Sequence, residues 1–309
     1  MIEPEAVREA AAALRGVAVR TPLRYVEPLG AYLKLENLQP MGAFKIRGAY
    51  NAIRRLPDAA RRRGVITYSS GNHGQAVAYA ACRLGLRAVV VMPETAPAVK
   101  VAGVKRWGGE VVPAGRTSED RQRKAEEIAA REHLAIVSPF DDPDIVTGQA
   151  TVALEIVEDL PDVATVVVPV GGGGLISGVV TGLAAAGSVA RVWGVEPTGA
   201  PKLARSLADG HPVRLERTAS IADGLITLTV GDVPFAELAR HRERLAGVAL
   251  VEDDSLREAM HFLWRQCRLA VEPSGAATVA GVRSGAVRPA APAVLIVSGG
   301  NVDPARLED

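Results

Sequence analysis

Short apolar runs alternate with longer amphipathic segments along most of the 309-residue chain. Residues 86–92 and 294–297 are almost continuously apolar, which is typical of strands buried on both faces. The segments between such runs place apolar residues three or four positions apart, which indicates helices. This alternation predicts an α/β fold with mainly parallel sheets and helices on both sides of them.

The predicted strands are residues 31–35, 65–68, 86–92, 110–112, 134–137, 165–170, 192–195 and 294–297. The predicted helices are residues 4–15, a segment that starts near Ile46, and residues 76–83, 97–107, 118–132, 145–160 and 175–186. Residues 197–247 follow neither period and are left unassigned. Ser255 and Glu258 have the spacing of a capping box, which predicts the start of one more helix that carries Leu256 and Leu263.

Residues 163–190 carry no charged side chain and are long enough to cross a membrane. Pro169 and the four glycines that follow shortly after it would break a lipid-exposed helix, however. We therefore predict a buried strand, a glycine loop and a buried helix, and no membrane association.

Composition narrows the classes of function. The formal net charge of +1 favours neither a nucleic-acid partner nor an acidic tail. The two cysteines, Cys82 and Cys267, are expected to be buried and reduced, and the acidic N-terminus lacks the apolar core of a signal peptide, so a cytoplasmic protein is predicted. The five histidines show no metal-site spacing.

Lys45 is the first candidate for chemistry. It lies between Gly42 and Gly48, beside Phe44, and helical spacing begins directly after it. At a helix N-terminus the dipole disfavours the ammonium form and lowers the pKa of a lysine. A lowered pKa suits a lysine that acts as an amine nucleophile. Considered alone, a lysine is more often a solvated surface residue, so this hypothesis depends on the neighbouring loops.

Four consecutive glycines, Gly171, Gly172, Gly173 and Gly174, join a predicted buried strand to a helix. Without side chains, their N–H groups can turn toward an anion, and the helix N-terminus adds positive potential. No Gly-Lys-Ser/Thr follows, and the last glycine of the dinucleotide motif is missing, so the loop is neither of those phosphate sites. A tight strand-to-helix turn that requires small residues stays an alternative.

The loop 69–74 also joins a strand to a helix, and it carries Ser69, Ser70, Asn72 and His73. Hydroxyl, amide and backbone donors suit a carboxylate or a phenolic oxygen. A simple helix N-cap would explain one serine and the asparagine. Ser298 follows the last predicted strand and, taken alone, would be an ordinary strand-end cap.

Taken together, residues 44–48 (Phe-Lys-Ile-Arg-Gly), 69–74 (Ser-Ser-Gly-Asn-His-Gly), 171–174 and 298–301 (Ser-Gly-Gly-Asn) resemble the threonine/serine dehydratases and serine racemases. The likeness runs from about Thr21 to Asp303. It implies the tryptophan-synthase β-like fold (fold type II), with two open twisted, mainly parallel sheets and pyridoxal phosphate in a cleft between two domains. We expect a large domain of residues 1–63 and 139–309, a small mobile domain of residues 64–138, and a homodimer.

The resemblance also implies a role for each motif residue. Lys45 would hold the cofactor covalently and then take the proton from the substrate Cα. Asn72 would hydrogen-bond the phenolic oxygen of the cofactor, and Ser298 would bond its pyridine nitrogen. Ser70 matches the position that acts on the opposite face of the substrate in racemases. The remaining implied contacts are Phe44 with the cofactor, Gly171, Gly172, Gly173, Gly174 and Leu175 with its phosphate, and Ser69, Ser70, Asn72 and His73 with the substrate.

The implied reaction is elimination from a 3-hydroxy amino acid, L-threonine or L-serine, to give a 2-oxo acid and ammonia. A racemase on the same scaffold and a 3-hydroxyaspartate dehydratase stay open, because dehydratases can also carry the serine at Ser70. A non-catalytic protein that binds a phosphorylated ligand at the glycines is a third alternative, and it would leave Lys45 without a role. The chain ends eight residues after Asn301, so feedback control by isoleucine through a regulatory extension is not expected.

Two places depart from the family pattern. Met41 and Ala43 stand where many relatives carry hydroxyl residues, which leaves the substrate side chain open. Relatives often bind a divalent cation through a Glu, a backbone carbonyl four residues on, and an Asp two residues further. Glu196 and Ala200 match the first two positions, but Lys202 replaces the Asp. We therefore expect no metal here, with the Lys202 ammonium in the place of the ion or an empty site.

Overall fold

Two separate sheets carry the strands of the computed structural model, which describes residues 1–69, 71–96, 98–115, 117–303 and 307. The strands are β1 (Leu23–Val26), β2 (Ala31–Lys34), β3 (Val65–Tyr68), β4 (Ala88–Met92), β5 (Glu110–Pro113), β6 (Ala135–Ile136), β7 (Thr165–Pro169), β8 (Arg191–Pro197), β9 (Leu245–Val251) and β10 (Ala293–Ile296). The helices are α1 (Pro4–Ala13), α2 (Ile46–Arg55), α3 (Asp58–Arg63), α4 (Asn72–Leu84), α5 (Ala98–Arg106), α6 (Ser118–Glu132), α7 (Pro143–Asp159), α8 (Gly174–Ala185), α9 (Lys202–Asp209), α10 (Asp232–Arg240), α11 (Asp253–Cys267) and α12 (Pro273–Arg283). Short 3-10 turns cover Glu27–Leu29, Glu36–Leu38 and Arg242–Arg244.

The six-stranded sheet has the order β1-β2-β10-β7-β8-β9, and only its β1–β2 pair is antiparallel. The four-stranded sheet, β5-β4-β3-β6, is parallel throughout. All residues of β4 and β7 are buried, as the apolar runs in the sequence predict for strands covered on both faces. The predicted α/β fold with two mainly parallel sheets flanked by helices is confirmed.

The two largest core clusters lie on opposite faces of the six-stranded sheet. Val166 and Val168 of β7 point into the cluster formed with α7 and α8, and Val167 between them points into the cluster formed with α11 and α12. Successive side chains of a strand alternate between faces, so one strand supplies both cores. The sheet therefore holds the helices on its two sides in fixed positions.

Helices α2, α7 and α8 cross with their backbones in contact. A Cβ placed on Gly148 of α7 would lie 2.4 Å from the Arg47 carbonyl oxygen and 2.6 Å from the Gly48 Cα of α2. A Cβ on Gly182 of α8 would lie 2.2 Å from the Ala150 carbonyl oxygen of α7. Only glycine allows such approaches, so these positions fix α2 against the body of the larger sheet.

Strand β3 and helix α6 match their predicted bounds residue for residue, and the other elements predicted with two bounds differ at one or both ends. The prediction of a capping box at Ser255 and Glu258 is wrong. Helix α11 begins at Asp253 after the N-cap Glu252, which makes no side-chain cap, so Ser255 already lies inside the helix. Acidic residues in the first turn stabilise the start of this helix instead.

The expectation of two buried cysteines is half wrong. Cys267 is 2 % exposed, but Cys82 lies near the C-terminal end of α4 and is exposed, and both thiols are free. The unassigned stretch contains α9, α10 and the start of β9. No helix within the described ranges is long and apolar enough to span a membrane.

Replacing Gly148 with alanine is expected to lower the free energy of unfolding by about 1–3 kcal/mol, because the added methyl overlaps the α2 backbone. In a helix with free space the same change stabilises by roughly 0.5–1 kcal/mol. Urea denaturation measures the difference. Gly103→Ala in α5 is the matched control, since the three atoms nearest to its Cβ all belong to the amide end of the Gln75 side chain. A loss for Gly148→Ala no larger than that of the control would contradict the close crossing.

Candidate active site

The four loops singled out from the sequence lie at the carboxyl ends of parallel strands. Residues 69–74 follow β3, residues 171–174 follow β7, and residues 298–301 follow β10. The segment that carries Lys45 follows β2, which is parallel to β10. Carboxyl ends of parallel strands are where ligands bind in open α/β sheets.

Direct contacts join residues 41–44, residues 298–301 and the start of α4. The contacts are Phe44 N to Ser298 O (3.1 Å), the isolated bridge between Ala43 and Gly299, Asn301 Nδ2 to Met41 O (2.9 Å) and Asn301 Nδ2 to Asn72 Oδ1 (2.8 Å). Ser298 is 4 % exposed. Three of the four loops therefore form one continuous wall.

Lys45 is the N-cap residue of α2, as predicted. Its Nζ donates to the Pro139 carbonyl oxygen at 2.7 Å and lies 5.3 Å from the centroid of the Phe44 ring. Burial disfavours the ammonium form and lowers the pKa of Lys45 from 10.5 to about 8. Desolvation, rather than the helix dipole invoked from the sequence, is the cause of this shift. Lys45 therefore loses its proton more readily than an ordinary lysine, and the free amine predominates above about pH 8.

A buried group of charges holds α2 in place, and we call Lys34, Glu36, Arg47 and Glu155 the Arg47 cluster. The Arg47 guanidinium is 1 % exposed and donates two hydrogen bonds to Glu36, both 2.8 Å, and two to Glu155, at 2.7 and 2.8 Å. Lys34 Nζ donates to Glu155 at 2.6 Å. Burial opposes ionisation of Glu36, but Arg47 and Lys34 outweigh it and hold the pKa of Glu36 below its ordinary value.

The glycine loop is pressed between neighbouring segments. A Cβ on Gly171 would lie 2.7 Å from the Gly224 carbonyl oxygen, and a Cβ on Gly173 would lie 2.8 Å from the Val230 side chain. Phe140 covers the other two glycines: a Cβ on Gly172 would lie 2.3 Å from its ring, and a Cβ on Gly174 would lie 3.2 Å from its Cβ. Gly173 also has φ = +91°, which favours glycine. The requirement for small residues is therefore real at several positions of the loop.

The same loop offers free hydrogen-bond donors. Gly172 and Gly173 are buried, and no described residue accepts a hydrogen bond from their backbone N–H groups. Helix α8 begins at Gly174, so its first N–H groups and its positive end face the same region. Leu175 is 4 % exposed and its side chain belongs to the core, which leaves only its backbone for a ligand. The arrangement is an anion site as well as a tight turn.

The loop 69–74 is shorter than the sequence predicts, because α4 begins at Asn72 and not near residue 76. The Ser69 hydroxyl accepts a hydrogen bond from Gly71 N at 3.1 Å. Ser70 lies outside the described residues. Asn72 therefore presents its side chain from the first turn of a helix, beside the Asn301 amide.

His73 is 3 % exposed and neutral at physiological pH. Burial, and then the charge of Lys45, lower the pKa of His73 from 6.5 to about 3. Its Nε2 lies 3.1 Å from the Val137 carbonyl oxygen, which can only accept, so Nε2 carries the proton. The buried Nδ1 is then an acceptor, and no described residue donates to it.

Glu272 is a site residue that sequence reasoning missed. It is the N-cap residue of α12 and 3 % exposed, and its Oε1 accepts a hydrogen bond from Asn72 Nδ2 at 2.5 Å. A Cβ on Gly299 would lie 2.0 Å from the same oxygen. Burial and the nearby Asp223 raise the pKa of Glu272 from 4.5 to about 7. The one local feature of the sequence that points to Glu272 is Pro273 directly after it. A proline at this place predicts the start of a helix, but it does not predict the contact between Glu272 and Asn72.

The Lys202 side chain lies beside Glu196 and the Ala200 carbonyl, the two positions that match the cation pattern of the family. Lys202 Nζ lies 3.0 Å from Glu196 Oε1 and 3.1 Å from the Ala200 carbonyl oxygen, and Lys202 and Glu196 are both 0 % exposed. Burial lowers the pKa of Lys202, and Glu196 acts against this shift. The part of the chain that the structure describes contains no group of three or more His, Cys, Asp or Glu side chains that could hold a metal ion.

Comparison with known proteins agrees with this geometry. Residues 14–299 match the sequence profile of a family described as "Pyridoxal-phosphate dependent enzyme". The chain is 38% identical to an L-threonine ammonia-lyase of Thermotoga maritima over 98% of its own length and 76% of that protein. It is 39% identical to an L-threo-3-hydroxyaspartate ammonia-lyase of Saccharomyces cerevisiae, covering 89% of this chain and 84% of the relative. The structure of maize serine racemase superposes with a TM-score of 0.92 at 36% identity, covering 99% and 96% of the two chains.

Glu272→Gln is expected to remove a pH dependence of stability. In the native protein Glu272 keeps its proton up to about pH 7, whereas in the unfolded chain it loses it near pH 4.5. The free energy of unfolding of the wild type should therefore fall between about pH 4.5 and pH 7, by up to about 3 kcal/mol, and a neutral glutamine should not show this fall.

Urea denaturation of the protein without added cofactor, at several pH values across this window, measures the difference. Glu258→Gln on the exposed side of α11 is the control and should parallel the wild type. Equal pH dependence in the wild type and Glu272→Gln would show that Glu272 is ionised in the native site.

Proposed function

The chain belongs to the pyridoxal-phosphate dependent enzyme family, and we propose that within it the protein is an ammonia-lyase for a 3-hydroxy amino acid. The proposed substrates are L-threonine and L-serine, and the products are a 2-oxo acid and ammonia. The observation that carries the proposal is the partly buried Lys45 amine, with its pKa lowered to about 8, in a wall that it shares with Asn72 and Ser298. Relatives whose names specify L-threonine and L-threo-3-hydroxyaspartate ammonia-lyase activity support the substrate class.

The residues present fit pyridoxal phosphate. Buried N–H groups that no described residue binds and a helix N-terminus suit its phosphate, and side chains in place of these glycines would fill the cradle. In the proposal Gly171, Gly172, Gly173, Gly174 and Leu175 hold the phosphate through their backbone. Lys45 bonds covalently to the cofactor beside Phe44, Asn72 contacts its phenolic oxygen, and Ser298 contacts its pyridine nitrogen.

The proposed chemistry follows from the state of the Lys45 side chain. When bound, pyridoxal phosphate supplies the electron sink for the electrons left at the substrate Cα. An amine with a pKa of about 8 can attack an aldehyde and can later accept a proton from the Cα, which an ammonium group cannot do. The hydrogen bond from Lys45 Nζ to the Pro139 carbonyl oxygen orients the amine without adding a charge.

The proposed substrate site is the loop 69–74. The N-terminus of α4 and the Ser69 hydroxyl supply positive potential and a donor for the substrate carboxylate. His73 lines this loop as a neutral ring, since the protonated form is disfavoured and Nδ1 can only accept. Asn72 and Ser70 complete the proposed substrate contacts.

The larger assembly is also part of the proposal. We place the cofactor between a large domain, residues 1–63 and 139–309, and a small mobile domain, residues 64–138. Closure of the second on the first would exclude water from the reacting bonds. The family resemblance supports a cytoplasmic homodimer, and light scattering on the purified protein measures its mass in solution.

A lyase and a racemase differ in the product. We expect the purified enzyme, given L-threonine, L-serine and L-threo-3-hydroxyaspartate separately, to form a 2-oxo acid from at least one of them. Chiral chromatography of the remaining amino acid detects the D-isomer in the same samples. Accumulation of the D-isomer without a 2-oxo acid would replace the lyase with the racemase, which the similarity to serine racemases makes the second candidate.

Lys45→Ala is expected to lower turnover by about 10³-fold or more, because it removes both the covalent attachment and the proton acceptor. Borohydride reduction followed by peptide mass spectrometry should find the cofactor on the peptide that contains residue 45 in the wild type and no cofactor adduct there in the variant. Lys105→Ala, an exposed lysine at the end of α5, is the control and should keep both properties. Cofactor attached to a different lysine would overturn the assignment.

A further inference from the structure

A fully buried lysine lies behind the glycine loop. Lys202 is the first residue of α9, is 0 % exposed, and takes no part in the reaction proposed above. A cation at a helix N-terminus is electrostatically unfavourable, and burial adds a cost. A lysine in such a place requires strong compensation from its surroundings.

The geometry around Lys202 Nζ is that of an ammonium ion. Three oxygens accept from it: Glu196 Oε1 at 3.0 Å, the Val170 carbonyl at 3.1 Å and the Ala200 carbonyl at 3.1 Å. A neutral amine has only two N–H donors, whereas an ammonium has three. Three acceptors therefore match the charged form.

Glu196 is arranged as an ionised carboxylate. Besides Lys202, its oxygens accept from Leu203 N and Ala204 N, each at 2.9 Å, in the first turn of α9. These backbone groups can only donate, so the carboxylate needs no proton of its own. The helix N-terminus and the ammonium together neutralise the buried carboxylate.

The contact with Val170 connects this charge pair to the proposed cofactor site. Val170 lies between the end of β7 and Gly171, the first residue of the glycine loop. Its N–H donates to the Val195 carbonyl oxygen at 2.9 Å, and its carbonyl accepts from Lys202. Both backbone polar groups of Val170, the residue directly before the loop, are therefore fixed by buried partners.

We propose that the Lys202 ammonium is a tethered cation that binds Glu196 and the carbonyl oxygens of Val170 and Ala200 in place of a free metal ion, and so positions the glycine loop for a phosphate. The protein then requires no inorganic cation at this place. This role of Lys202 does not depend on the proposed reaction, and it applies to any phosphate ligand of the loop.

Without the Lys202 side chain, the stability and the cofactor affinity of the protein should depend on free cations. Lys202→Ala leaves three oxygens and one negative charge around an open space. We expect the variant to melt at a lower temperature and to bind pyridoxal phosphate roughly tenfold more weakly or worse, since a carboxylate is left buried without its partner. Ammonium or potassium chloride should restore a large part of both properties, with saturation.

The readouts are the melting temperature and a fluorescence titration with pyridoxal phosphate, so that loss of turnover cannot be mistaken for failure of the inference. Tetramethylammonium chloride at equal ionic strength controls for screening, because this ion is too large and has no N–H donor. Lys105→Ala controls for the loss of a lysine elsewhere. The wild type should not change with ammonium, potassium, magnesium or calcium ions.

Lys202→Asp is expected to create a binding site for a divalent cation. Two carboxylates and two carbonyl oxygens then face one space, which is the hard oxygen set that magnesium and calcium prefer. The melting temperature of this variant should rise with magnesium or calcium, whereas that of Lys202→Met, which keeps the volume without the charge, should respond to neither. If Lys202→Ala does not fold, recovery of folded protein on refolding in ammonium or potassium salts supports the inference.

Three results would overturn the proposed role of Lys202. The first is a melting temperature and cofactor affinity of Lys202→Ala equal to those of the wild type. The second is loss in Lys202→Ala that no cation restores, either in the folded variant or on refolding. The third is stabilisation of the wild type by magnesium or calcium that disappears in Glu196→Gln, because the ion and the ammonium cannot occupy the same place.

Discussion

The Arg47 cluster is the constraint on which the position of Lys45 depends. Folding removes two cations, Lys34 and Arg47, and two carboxylates, Glu36 and Glu155, from water. This desolvation costs several kcal/mol per ion, and it is offset only if every donor meets an acceptor. The planar Arg47 guanidinium meets Glu36 and Glu155 with paired hydrogen bonds, so neither the distance nor the angle of α2 can change freely. Because Arg47 follows Lys45 by two residues, this cluster also fixes where the Lys45 amine emerges.

Close backbone contacts act together with these charges. Gly48 and Gly148 bring α2 against α7, the helix that carries Glu155, while Lys34 and Glu36 come from the end of β2 and the turn after it. Helix, strand and turn are therefore tied at the same end of the larger sheet where the candidate site lies. A ligand site with reacting groups on such rigid supports can hold its geometry without help from the ligand.

Sequence patterns predicted the part of the fold that depends on local periodicity. Strand β3 and helix α6 have their predicted bounds because one is a short apolar run and the other has a clear start and end. The loops were found because clusters of glycine and serine directly after an apolar run mark the point where a strand ends in a turn. Glu272 could not be found in this way, since its partner Asn72 lies 200 residues earlier and only the fold brings them together. Exposure of Cys82 likewise depends on which face of α4 the sheets cover.

The titrating groups of the site share one property, which is that burial drives each toward its neutral form. Lys45 has a lowered pKa, His73 is a neutral imidazole, and Glu272 keeps its proton to about pH 7. Helix N-termini at α4 and α8 add positive potential that does not depend on the protonation of a side chain. Such a site attracts a phosphate and a carboxylate and also makes it easier for Lys45 to lose its proton. Neighbouring arginines would also bind these anions and would lower the pKa of Lys45 through their charge, whereas here burial alone lowers that pKa.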